Sequence, residues 1–216
     1  MTRHQRIIKA IISSVIAAAV IYLSVYFRPL DKVLEERQLN TFRPQEYARY
    51  YWEHVLAVEA KQAIDAAVLI DSLKSNPDNV FIQYGKTLGI SDMSNFIMKG
   101  HGQVTAVIEE FMELRLCNSD NILKLKTGMV FGNILRDCTG SIRMDDFRNS
   151  MDFNNISVEI NKIVNTEIIP RLRQKLMPDD FVYFEGAAGI MKGFADSVTI
   201  ELIPVRIILT NDCKQK

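Results

Sequence analysis

Apolar residues run unbroken near the start of the chain and alternate with polar ones in its second half. From Ala10 to Phe27, 18 residues carry no charge: AIISSVIAAAVIYLSVYF. At about 1.5 Å per residue, a helix over this stretch spans roughly 27 Å, close to the hydrocarbon thickness of a bilayer. Its backbone polar groups would all be satisfied internally, as lipid requires. Arg3, Arg6 and Lys9 precede the stretch and no carboxylate does. Such a basic cluster stays in the cytoplasm, which puts Tyr22, Tyr26 and Phe27 at the far interface and residues 28–216 outside the cytoplasmic membrane. A cleaved signal peptide is the alternative, but its apolar region is usually about 7–15 residues, and here Ala17, Ala18 and Ala19 lie in mid-stretch. A lipoprotein needs a Cys just after the apolar run, and the first Cys is Cys117. An uncleaved single-span anchor over residues 10–27, in the inner membrane, is the expectation.

Residues 28–40 hold no sustained apolar face and read as a linker. A helical layer is expected over 41–90. Pro44 suits the first turn of a helix, where its missing N–H costs nothing. Tyr47, Tyr50, Tyr51 and Trp52 then recur at helical spacing, which marks a face packed on a core. Their alternative role is an exposed platform on which a partner or a carbohydrate docks. Asp65 is placed to cap a helix over Ala66 to Leu73. Asn76-Pro77 repeats the cap-then-proline signal before a helix ending near Gly85.

From Asn95 the period changes to two. A Gly-interrupted strand (NFIMKGHGQV) leads to Phe111–Cys117, where Met112, Leu114 and Leu116 alternate with Glu113 and Arg115. Asn118 to Asn121 is a turn cluster, and Ile122 to Lys126 alternates again. Val182–Ile190 and Val198–Leu209 read as a second hairpin. Between the hairpins, Ile156, Ile160, Ile163, Val164, Ile168 and Leu172 form one helical stripe that Pro170 kinks or divides. Three strands, a long helix and two strands predict an α+β chain: a five-stranded OB-like Greek-key barrel over 91–210, with the helix between strands 3 and 4 and a tail over 211–216. An open sheet with the helix on one face is the alternative.

Composition narrows the function. The chain balances 26 basic against 26 acidic residues, and beyond residue 27 there are 23 against 26. That excludes a nucleic-acid binder, which needs a basic surface. No HExxH, GxSxG, GxxxxGK[ST] or EF-hand motif occurs, and His4, His54 and His101 are scattered, so no metal or cofactor is expected. Asp145-Asp146 and Asp179-Asp180 read as solvated turns or helix starts. Arg136-Asp137 is the polar pair of most interest. As neighbours on a strand or turn they are expected to point apart and pair with other groups. Arg136 either pins the strand-to-helix crossing or faces an anionic or polyhydroxyl ligand. Outside the cytoplasm, Cys117 and Cys138 can form a disulfide, with Cys213 in a polar tail. Asn155 of an Asn-x-Ser sequon coincides with a helix start, where capping is its simpler role.

Several segments resemble an uncharacterised family of predicted periplasmic lipoproteins, domain of unknown function 2291. They are FRPQEYARYYWEHV, DAAVLIDSLKSNPDNVFIQYG, NFIMKGHGQV, TGMVFGNILRDC and DDFRNSMDF, in one order over about residues 42–209. In the family's Gly-x-x-x-Gly turn and Leu-Arg-Asp step, Gly128, Gly132, Leu135, Arg136 and Asp137 take the matching places, with Phe147 in the motif after them. The chain departs from the family at Met129, Phe131, Asn133 and Ile134, and it lacks the lipid-bearing Cys. The resemblance implies an extracytoplasmic, membrane-tethered protein with relatives encoded near sugar ABC transporters, and no known reaction. The leading expectation is therefore a non-enzymatic accessory or binding module beside such a transporter or its solute-binding protein. The alternatives are an assembly factor docking through its aromatic helix, and a glycan-acting enzyme using carboxylates such as Asp145, Asp146 or Glu185.

Overall fold

The structure is a computed structural model, and it describes residues 3–24, 42–89, 91–117, 119–193 and 199–213. The chain divides into two compact units, Met1–Phe42 and Arg43–Lys216. In the first, α1 (Arg3–Ser24) is a single helix whose Ile8, Ile11, Ile12, Val15, Ile16 and Val20 side chains are exposed. Among the described residues no helix is long and apolar enough to cross a membrane. The structure therefore does not support the single-span anchor expected over 10–27. Its helix begins at Arg3, so the first two turns are basic, and Ser13 and Ser14 interrupt the apolar surface. Tyr26, Phe27 and the expected linker at 28–40 lie outside the described residues.

The second unit opens with α2, residues 44–62. It runs as Pro44–Tyr51, a π turn at Trp52–Leu56, and Ala57–Gln62. Pro44 lies in its first turn as expected. After β1 (Ile64–Asp65), the Asp65 carboxylate accepts from the Ala67 and Val68 amides and starts α3 (Ala66–Ser75). Asn76 accepts from Asn79 N and starts α4 (Pro77–Tyr84), which stops at Gly85. Each cap satisfies amides that the first helical turn leaves without a partner.

The strands are β2 (Met93–Val107), β3 (Phe111–Leu116), β4 (Ile122–Lys126), β5 (Phe181–Met191) and β6 (Glu201–Thr210). They belong to one mixed sheet ordered β1-β2-β3-β4-β6-β5, and β2 also pairs with β5, so the pairings of β2 to β6 return on themselves. All neighbours in that ring are antiparallel except β4 and β6. Alternate residues point inward: Phe96, Met98 and Val104, then Met112, Leu114 and Leu116, Leu123 and Leu125, Val182, Phe184, Ala188 and Ile190, and Leu202. Gly100 leaves room for Phe184, whose ring lies 3.0 Å from where a Cβ would sit. Leu69, Leu73, Val80 and Phe81 of α3 and α4 join the same core.

One long helix, α6, fills the stretch between β4 and β5: Ser150–Ile163, a π turn at Val164–Ile168, and Ile169–Lys175. It starts six residues ahead of the apolar stripe that announced it, because Asn149 accepts from Asp152 N and caps it. Asn155 is thus one and a half turns into the helix, not at its start. The π turn ends two residues before Pro170, whose ring would otherwise meet the carbonyl four residues back. The C-terminal part delivers Leu172 and Leu176 to the core of the ring. The N-terminal part buries Phe153, Ile156, Ile160 and Ile163 and packs against the first turns of α2.

Candidate functional site

The chain between β4 and α6 is irregular except for α5 (Ile134–Asp137) and a 3-10 turn (Met144–Asp146), and it is tied down at nearly every step. Thr127 N and Gly128 N both donate to Glu110 O at 2.9 Å. Asn165 of α6 imitates a backbone partner, donating to Val130 O and accepting from Val130 N, each at 2.8 Å. Asn161, one turn earlier, donates to Gly132 O at 2.8 Å. Gly132 has φ +91°, a conformation that side-chain-bearing residues rarely adopt. Gly128 is buried, and a Cβ there would collide with the Glu110 carboxylate.

Arg136 and Asp137 are not aimed apart, as expected from a strand or turn. On the single turn of α5, the guanidinium folds back on its own neighbour. Nε and Nη2 donate to the two Asp137 oxygens at 2.6 and 3.0 Å. The guanidinium also lies 3.7 Å from the Phe153 ring centre and donates to Phe153 O at 3.4 Å. Arg136 is only 2% exposed, so it joins α5 to α6 from within and faces no opening. Tyr51 of α2 fastens the same turn, donating to Leu135 O at 2.9 Å with Thr139 Oγ1 within 3.0 Å. Burial, and next the neighbouring Cys138, pushes the Tyr51 hydroxyl far above its ordinary value.

The four aromatics of α2 separate. Tyr51 and Trp52 are buried, Tyr47 meets the Phe147 ring edge-on, and Tyr50 stands exposed and stacked on His54. Only Tyr50 is left for docking, and one exposed ring is not a patch. Of the cysteines, Cys117 bonds to Cys213 rather than to Cys138. Cys138 is buried as a free thiol, and desolvation raises its pKa strongly, so it has no thiolate to offer. Glu185 is 1% exposed. Tyr183 donates to its Oε1 at 3.0 Å, Arg206 lies 3.6 Å from the same oxygen, and Oε2 has no partner among the described residues. Burial first, then the bond to Glu185, pushes the Tyr183 hydroxyl up to about 12.

The fastened loop and α6 enclose the concave site. An open pocket of about 630 Å³ is lined by Phe131 and Asn133 of the loop and by Asn154, Ser157, Asn161 and Asn165 of the helix. Val130 and Val158 complete its apolar wall, and Lys162 contributes a charged side chain. Among the described residues no carboxylate lines it, and no three His, Cys, Asp or Glu converge as a metal site. Gly132 borders the pocket, while Gly128, Arg136 and Asp137 hold its loop from behind. The helical face was missed because Asn and Ser on a helix read as a solvated surface. The signal was their spacing: Asn154, Ser157, Asn161 and Asn165 recur at three- and four-residue steps beside the apolar stripe.

A mixed sheet with its long helix between the third and fourth strands of the ring is the arrangement of an OB fold. The crystal structure of an OB-fold protein from Thermotoga maritima is similar to this chain, with a TM-score of 0.70 and 24% sequence identity, covering 79% of this chain and all of that one. That likeness defines the fold. The chain belongs to the family described as predicted periplasmic lipoprotein (DUF2291), whose model matches residues 15–208. No curated protein matches the chain.

Proposed function

We propose that this extracytoplasmic protein is a non-enzymatic binding module held at the cytoplasmic membrane through its N-terminal segment, working as an accessory to a sugar ABC transport system. The observation that carries the binding role is the pocket between the 130–133 loop and α6. Its walls are fixed by side-chain to backbone bonds, and among the described residues its polar lining is amides, one serine and one lysine, with no carboxylate, His or Cys. Membrane attachment is supported by the exposed apolar residues of α1 and by the basic, carboxylate-free start of the chain. The transporter link rests on the family's genomic company alone.

The test is affinity purification of the full-length protein in mild detergent, with mass spectrometry of the co-eluting proteins. Transporter subunits or a solute-binding protein in stoichiometric amount support the accessory role; recovery of the bait alone removes it. An assembly factor docking through the aromatic helix is the weaker reading, since two of its four aromatics are buried.

A further inference from the structure

We infer that the ligand of this pocket is a small, neutral, polyhydroxylated molecule, stacked by its C–H face on Phe131 and hydrogen-bonded along the Asn/Ser face of α6. The inference rests on the proposed binding role and names the chemistry of that site.

Charge is the first argument. Among the described residues Lys162 is the one ionised group lining the pocket, and its ammonium is already 3.3 Å from Glu159. An anionic ligand would meet one compensated cation, and a cationic ligand would meet no carboxylate. The hydrogen-bonding capacity is instead neutral and two-sided. Among the described residues Asn133 has both ends of its amide unengaged. Asn154 keeps its amide N–H donors while its oxygen accepts from Arg136, and Asn161 keeps its oxygen while its nitrogen holds Gly132. A ligand hydroxyl donates and accepts at once, so it matches such a wall where a pure acceptor or a pure donor does not.

Ser157 is the second argument. It is 5% exposed, lines the pocket, and its hydroxyl has no partner among the described residues. A buried hydroxyl without a partner costs stability. The carbonyl four residues back, which a helical serine commonly bonds, is Phe153 O, and that oxygen already accepts from Arg136. A bound ligand hydroxyl supplies the missing partner.

The third argument is Phe131. It is 75% exposed on the rim, with Met129 two residues earlier at 73% and Val158 of α6 at 60%. With Val130 and Val158, which line the same pocket, Phe131 gives it the apolar side that a ligand's C–H face can cover. An extended peptide would also place apolar groups there, but it needs unpaired backbone to read. Three of the loop's backbone groups are already taken, because Asn165 occupies both polar groups of Val130 and Asn161 occupies Gly132 O.

The experiment is thermal melting of the full-length protein in detergent against two panels. The first holds neutral sugars and polyols: glucose, ribose, maltose and myo-inositol. The second holds free amino acids and uncharged dipeptides. At about ten times its Kd, a ligand raises the melting temperature by roughly 3–6 °C. The expected result is such a shift with a member of the first panel, lost in Phe131→Ala and in Ser157→Ala. Ser157→Ala removes a hydroxyl with no protein partner, so without ligand it should melt no lower than the parent. A structural role for Ser157 predicts the reverse. A Phe131-dependent shift from the dipeptides alone overturns the ligand class and leaves the binding role standing. No shift from either panel, with co-purification of partners undisturbed by both variants, overturns the pocket itself.

Discussion

Replacing Arg136 by methionine separates a structural arginine from a ligand-facing one. The substitution keeps most of the apolar stem packed on Phe153 but removes the guanidinium that meets both Asp137 oxygens. Asp137 is 7% exposed, so its carboxylate would be left buried without its cation. Removing one partner of a buried pair costs about 3–5 kcal/mol, most of it the stranded charge rather than the lost attraction. For a chain of this size that lowers the melting temperature by roughly 6–20 °C. Replacing both residues, as Arg136→Met with Asp137→Leu, removes the stranded charge as well and should recover more than half of the loss. The assay is a double-mutant cycle read by circular dichroism melts, with the sugar panel measured on each variant. A single variant that melts like the parent and loses only ligand would falsify the placement of Arg136 inside the fold. So would a double variant as unstable as the sum of the two single ones, because no coupling would then exist between the groups.

Cys213→Ser opens a link between residues 96 apart in sequence and should cost about 2–4 kcal/mol, seen as a lower melting temperature under oxidising conditions and none under reducing ones. Cys138 should stay unreactive towards a thiol reagent at pH 8 while the protein is folded and release one equivalent on denaturation, since burial raises its pKa. Glu167→Gln tests a pH effect of known sign. The Arg49 hydrogen bond holds this carboxyl below its ordinary value of 4.5, so its contribution is present above that value and fades as pH falls through the depressed one. The variant should lose at most about 1 kcal/mol at neutral pH, as exposed ion pairs do, and the gap to the parent should close on acidification. Gly186→Ala should abolish folded protein, because its Cβ would stand 2.5 Å from Ile203 O at the irregular β5–β6 pairing.

Local chemistry made much of this fold legible. The alternation of Met112, Leu114 and Leu116, and the side chains of Asp65 and Asn76, act within a few residues of where they are read, and the strands and helices form accordingly. The features that escaped depend on distant partners or on backbone handedness. Arg136 and Asp137 meet because their backbone is one helical turn rather than extended, and nothing in LRD alone signals so short a helix. The choice of Cys213 over Cys138 for Cys117 depends on where the segment after β6 runs, which no local pattern records, while Cys138 is buried at the end of α5. The pocket residues looked like solvent-facing amides. Their role is visible only once the 130–133 loop lies across them.

The π turn at Val164–Ile168 has an effect on the kinds of sequence change that α6 can absorb. A π turn accommodates one residue more than an α-helical turn does, and each added residue rotates the remainder of a helix by about 100°. In α6 that offset sets the phase between two faces: Ser157 and Asn161 towards the loop, and Leu172 and Leu176 towards the ring. Deleting a single residue between 164 and 168 would leave a continuous, even more regular helix. Yet it would swing one of those faces out of alignment with its counterpart by more than a quarter turn. The segment is thus intolerant of any change in length, and the binding surface and the core are inherited together as one indivisible count of residues.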